Sequence, residues 1–153
     1  MLHSGVAKAP GADLYFERRG DGPVLLLIVG GGGDCASLAP IAELLAGHYT
    51  VISYDRRGNS RSTLGGPARP MSVAEQGNDA IAVLDATGVT SARIFGNSGG
   101  ATIALDLAAR HPDRLVAAVA HEPPVPRVLP EGDQILRDYA DLERTLRVEG
   151  WEA

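Results

Sequence analysis

The sequence predicts an α/β fold, a mostly parallel sheet of about six strands flanked by helices. Three observations carry that reading. Continuous apolar runs of strand length, such as Val24 to Val29, mark strands covered on both faces. Segments with apolar residues at helical spacing alternate with those runs. Glycine, proline and aspartate clusters punctuate the joins between them.

The elements follow in order. Gly11 and the cluster Gly20-Asp21-Gly22-Pro23 bracket Ala12 to Arg19, where Leu14 and Phe16 set an alternation that reads as an early strand and a turn. After the run Val24 to Val29, a glycine loop from Gly30 to Gly33 leads into a helix from about Ser37 to Ala46. Its apolar face is Leu38, Ile41, Leu44 and Leu45, and Gly47 is a natural stop. Tyr49 to Tyr54 is the next strand, ending in the polar loop Asp55 to Ser62. Ser72 and Glu75 form a capping-box pattern for a second helix, with Val73, Ala80, Ile81 and Leu84 facing inward and Gly88 at its end. Ala92 to Phe95 is a short strand, Gly99 to Arg110 a helix closed by His111-Pro112, and Leu115 to Ala120 a further buried-type strand. Beyond Glu122 the prolines 123, 124, 126 and 130 make a stiff connector. Ile135, Tyr139, Leu142 and Leu146 then stripe an amphipathic helix. The division expected is therefore 1–122 as core and 123–153 as connector and helix.

Composition narrows the function classes. The 153 residues suffice for one packed core, and 44% hydrophobic with 22% charged residues is the balance of a globular chain. A net charge of -5 argues against nucleic acid as a partner. No apolar run reaches the ~18 residues of a membrane span, and no basic segment leads into an apolar one at the N-terminus. One cysteine, Cys35, excludes an internal disulfide and fits a reducing compartment, so a cytoplasmic location is expected.

The chemistry concentrates at Gly96-Asn97-Ser98-Gly99-Gly100, a G-x-S-x-G pattern between a strand and a helix. A nucleophilic serine there sits on a tight turn with its hydroxyl projecting from the sheet. Gly96 and Gly100 leave room for crossing backbone. The N–H of Gly99, at the helix start, can meet a developing oxyanion. The blander reading is a glycine-rich turn in which Ser98 is an ordinary helix N-cap.

The chain at this point resembles the α/β-hydrolase family, in its serine-nucleophile branch, from about Ala12 to Glu122. Val24 to Gly33 resembles the family's third strand and oxyanion loop, with Val29 where a histidine is common. Asp55-Arg56-Arg57-Gly58-Asn59-Ser60-Arg61-Ser62 resembles its D-x-R-G-x-G-x-S loop, with Ser60 replacing the second glycine. Leu107 to Val116 resembles the segment leading into the family's sixth strand, and the residues beyond Glu122 resemble the start of a helical cap. The resemblance implies a truncated hydrolase core with the beginning of a cap. It implies a second oxyanion donor at Gly31, or Gly32 in the other register. It also implies a triad acid and a histidine further along a chain than this sequence runs, since the strands counted here stop at the sixth.

Two histidines follow Ser98. His111 ends a helix and reads as a C-terminal cap, whereas His121 ends a strand and is a weak candidate for a base. Glu122 lies where some members of the family carry their acid, and reads either as a candidate acid or as a surface or cap-contacting carboxylate. Asp55 reads as a loop-fixing residue and Cys35 as packing. A rival reading comes from Gly31-Gly32-Gly33-Asp34-Cys35-Ala36, a G-x-G-x-x-A run with Asp55 about 20 residues on, the parts of a dinucleotide-binding fingerprint. Three functions stay open: a serine acyl hydrolase needing no cofactor and acting on a small acyl compound, a catalytically inactive fragment or binding module, and a dinucleotide-binding domain. The strand Leu115–Ala120, left without further partners, is an open apolar edge, and self-association through it is expected.

Overall fold

A hairpin opens the chain. In the computed structural model, which describes residues 1–150, Leu2–Ala9 (β1) and Ala12–Arg19 (β2) pair antiparallel, with Gly11 at φ +74° in the turn. The remaining strands are Val24–Ile28 (β3), Thr50–Tyr54 (β4), the two-residue Thr63–Leu64 (β5), Ala92–Asn97 (β6) and Leu115–His121 (β7). They form a seven-stranded sheet in the order β1-β2-β4-β3-β6-β7, with β5 on β2.

Two features depart from the sequence expectation. β1 and β5 add strands that no periodicity marked, and the sheet is mixed. The pairings of β2 with β1, β4 and β5 are antiparallel, while β3 pairs parallel with β4 and β6, and β6 parallel with β7. β1 alternates weakly and only Ala7 in it is buried. Its strand character comes from its partner β2, not from its own composition.

Helices Cys35–Leu45 (α1), Val73–Ala86 (α2) and Gly99–Arg110 (α3) lie between the strands. α1 begins two residues before the expected Ser37, because Asp34 is its N-cap and Ser37 the reciprocal residue of a capping box. Cys35, Leu38 and Ala42 face inward, whereas Ile41 and Leu44 of the expected apolar face are 40% and 80% exposed. At α2, Ser72 Oγ accepts from the Glu75 N–H at 3.0 Å, half of the expected capping box, while the Glu75 side chain turns to Arg57 and Arg69. Ala80, Val83 and Leu84 form its buried face, and Val73 is outside it.

The apolar run of β3 has a direct explanation in packing. Leu26 and Ile28 join a cluster with Ile94, Ala80, Val83, Leu84, Ile103 and Ala104. Leu27 and Val29 join a separate one with Leu38, Ala42 and Val51. Alternate residues of one strand thus enter two cores, one on each sheet face.

β7 is the edge beyond β6, and Val116 and Val119 are 56% and 57% exposed. Beside it an apolar groove of about 260 Å³ is lined by Leu25, Leu27, Ile41, Leu45, Phe95 and Val119 among others. The chain divides into two compact units, Met1–Pro123 and the remainder from Pro124. Within the second, Gly132–Glu149 (α4) carries its apolar residues at the spacing expected and an Arg147–Glu143 ion pair at 2.5 Å. Among the described residues, no helix is long and apolar enough to cross a membrane.

Candidate active site

β6 ends at Asn97 and α3 begins at Gly99, so the whole turn rests on Ser98. Its backbone stands at φ +52° and ψ -122°, a conformation that costs a non-glycine residue about 1–3 kcal/mol. The surroundings hold it there. A Cβ on Gly96 would collide with the carbonyl of Gly100, and one on Gly100 with the carbonyl of Ile28. The Ser98 N–H donates to the carbonyl of His121 at 2.8 Å, tying the turn to the end of β7. Ser98 is exposed, and its side chain makes no capping bond to α3. The ordinary N-cap reading therefore fails: a strained serine presents a free hydroxyl at the sheet's end.

The glycine loop lies against this turn. Gly30 N–H donates to Asn97 Oδ1 at 3.1 Å, and a Cβ on Gly30 would stand 2.9 Å from Ser98 Cβ. A Cβ placed on Gly99 would stand 3.8 Å from the Gly31 nitrogen. Gly99 is the first residue of α3, where a helix leaves its N–H groups without intrahelical partners. The structure thus brings Ser98, Gly99 and Gly31 together, two candidate donors beside one candidate nucleophile.

Asp55 lies fully buried below the loop. One carboxylate oxygen accepts from Cys35 N–H at 2.8 Å and Arg61 Nη2 at 3.0 Å. The other accepts from Arg61 N–H at 3.1 Å and Arg61 Nε at 2.7 Å. Burial alone would raise this carboxyl, but the bonds from Arg61 and Cys35 outweigh it and hold it below the ordinary carboxylate range. Both oxygens are committed, so neither is left for the ribose hydroxyl that the dinucleotide reading assigns to Asp55. Cys35 is buried as well, and burial pushes its thiol up to about 12, which keeps it an inert packing group.

The candidate acid and base are less engaged. Glu122 follows β7 at φ +52° and is exposed. His121 is exposed, and its ring stacks on Phe95 with centroids 6.3 Å apart. His111 faces Asn78, with Nε2 at 3.4 Å from the amide oxygen. Among the described residues, none of these side chains hydrogen-bonds Ser98.

Two residues that sequence reasoning passed over matter here. Arg57 is buried and grips Asp79 with two bonds, Nε at 2.6 Å and Nη2 at 2.5 Å, and it also reaches Glu75. Arg56, its neighbour, turns the other way onto the glycine loop, donating to the carbonyls of Gly30 at 3.3 Å and of Gly31. Adjacent arginines in the motif gave no sign of these opposite duties.

Comparison with known proteins agrees with the geometry. The chain is 41% identical over 122 residues to the uncharacterized hydrolase YraK of Bacillus subtilis, covering 80% of this chain and 45% of that one. It is 31% identical to the zearalenone hydrolase of Cladophialophora bantiana, covering 99% and 62%. It therefore spans about half the length of the curated relatives it matches. A solved hydrolase of Pseudomonas aeruginosa superposes with a TM-score of 0.75 at 27% identity, over 92% of this chain and 53% of that one. Est816, an N-acyl homoserine lactone degrading enzyme, superposes at 0.74 and 27%, over 95% and 61%. A family model for the alpha/beta hydrolase fold matches residues 23–147. With a strained serine between β6 and α3, a glycine loop against it and these relatives, the chain belongs to the α/β hydrolase fold family.

Proposed function

We propose that the chain carries the nucleophile half of a serine hydrolase acting on a small ester or thioester. The observation that supports it is Ser98, held at positive φ with a free hydroxyl beside the N–H groups of Gly31 and Gly99. In the reaction, Ser98 Oγ attacks the acyl carbon and its proton passes to a base. The carbonyl oxygen takes the negative charge and is met by the two N–H groups. Collapse breaks the bond to the leaving alkoxide or thiolate, which takes up a proton, and water then releases the acid and restores Ser98. In the chain as it stands the proton acceptor is solvent, because neither histidine after Ser98 bonds it. Similar proteins named as an N-acyl homoserine lactone degrading enzyme and as a zearalenone hydrolase add support for an ester-type substrate.

Hydrolysis of p-nitrophenyl acetate tests this. Ser98→Ala should abolish the rise in rate that the separately produced remainder of a longer relative brings, while the feeble rate left by the oxyanion donors alone stays. Gly99→Pro deletes one donor and also conflicts with the ψ of -122° that Ser98 holds before it, so it should lower the feeble rate by at least about 10²-fold. A rise that survives Ser98→Ala would sink the proposal.

A further inference from the structure

The loop from Gly30 to Gly33 is four consecutive glycines, the backbone that loses most conformational freedom when fixed. An oxyanion donor must nevertheless be held to within about half an ångström. The loop's own anchors lie at its ends, Gly30 N–H on Asn97 Oδ1 and a 3.4 Å bond from Gly33 N–H to Gly30 O. Gly31 and Gly32, in the middle, are exposed, and a Cβ on either would meet nothing within 4 Å. What reaches the middle is Arg56.

Its guanidinium is aimed with care. Nη2 donates to the Gly30 and Gly31 carbonyls, and Nη1 donates to Gln76 Oε1 at 2.9 Å, which sets the plane of the fork. Nη1 would also lie 3.7 Å from a Cβ on Gly99. Arg19, Arg57 and Arg61 each have a carboxylate partner. Arg56 forms no ion pair among the described residues, and its Nε is buried without a partner. Burial lowers its pKa, as expected for a cation taken from water without a counter-charge. As a device for stability alone this placement is poor, since a desolvated charge without an opposite charge is costly.

Peptide geometry shows what the placement achieves. In a trans peptide the C=O and the following N–H point in opposite directions. Drawing the carbonyls of Gly30 and Gly31 toward Arg56 therefore turns the N–H groups of Gly31 and Gly32 away from it. We propose that Arg56 is the positioning residue of the oxyanion loop, its guanidinium clamping the Gly30 and Gly31 carbonyls so that the loop's N–H groups stay presented to the acyl oxygen on Ser98. The clamp rests on the acyl-transfer reading of Ser98. It also makes the choice between Gly31 and Gly32 as donor less exclusive, because one side chain orients both peptides.

The experiment has two readouts on the 153-residue protein, wild type against Arg56→Ala and Gln76→Ala. The first is the ¹⁵N order parameter of Gly31 and Gly32, which needs no reaction. Arg56→Ala should drop it from about 0.8 to below about 0.6, with Gln76→Ala between and α3 unchanged. The second is the rate, slow because Ser98 has no base beside it, at which a fluorophosphonate at high concentration labels Ser98 over a long incubation, with Ser98→Ala as control. Arg56→Ala should lower the maximal labelling rate roughly 10- to 100-fold, a part of the loss seen when an oxyanion donor is removed outright. The concentration for half-saturation should stay within about twofold. Unchanged order parameters in Arg56→Ala would overturn the clamp, as would an unchanged labelling rate. Labelling that persists in Ser98→Ala would instead overturn the acyl-transfer reading, and the order parameters would still judge the clamp's hold on the loop.

Discussion

The isolated chain is expected to hydrolyse p-nitrophenyl acetate about 10⁶-fold more slowly than a serine hydrolase with its histidine in place. That factor is ~8 kcal/mol of transition-state stabilisation. Ser98 is an ordinary alcohol without a base, and the described residues offer none. The His121 ring is stacked on Phe95, and its backbone carbonyl, not its imidazole, meets Ser98. What stays is the oxyanion geometry, which leaves roughly 10³–10⁴-fold over water in a triad stripped of its members. Adding the separately produced remainder of a longer relative, such as YraK, should raise the rate by several orders of magnitude if the two parts dock across β7 and its groove. His121→Ala should leave the residual rate unchanged. Turnover at ordinary enzyme rates, silenced by His121→Ala, would contradict this account and make His121 the base.

Asp79→Ala should cost about 3–5 kcal/mol of folding stability, a large share of the 5–15 typical of a domain. Arg57 and Asp79 have side chains only 3% and 1% exposed, and they meet in a two-point bond. Removing the carboxylate leaves a buried guanidinium with one remaining acidic partner, Glu75. Burial keeps the Asp79 carboxyl above its ordinary value even beside Arg57, so the pair is closely balanced between desolvation and attraction. Replacing both members with apolar residues, Arg57→Met with Asp79→Leu, should recover most of the loss. Urea unfolding reads it out, with a midpoint lower by roughly 2 M for the single variant. A shift under 1 kcal/mol would show that the pair carries little.

The sequence disclosed what depends on local rules and hid what depends on distant partners. Gly96, Ser98 and Gly100 announced the elbow because its steric demands fall within five adjacent residues. Val24 to Val29 announced a central strand because both faces are covered by helices on either side. β1 stayed illegible because its residues alternate poorly, and it becomes a strand only through the register that pairs Ala9 with Ala12 and Leu2 with Arg19. Leu44 lies off the inward face of α1 because that face is set by what Cys35, Leu38 and Ala42 pack against, which apolar spacing alone does not single out. The roles of Arg56 and Arg57 were hidden for the same reason. Their partners Gln76 and Asp79 are 20 and 22 positions away, and nothing in the local pattern says which arginine turns to which.

The most direct test of the central claim is where a covalent probe lands. Prolonged treatment with a fluorophosphonate at high concentration, needed because Ser98 has no base beside it, followed by trypsin should add the probe's mass to the peptide Ile94–Arg110, whose one serine is Ser98. Fragmentation should place the mass on Ser98, and Ser98→Ala protein should carry none. A label found on another residue, or labelling as fast after Ser98→Ala, would contradict the assignment of Ser98 as the nucleophile.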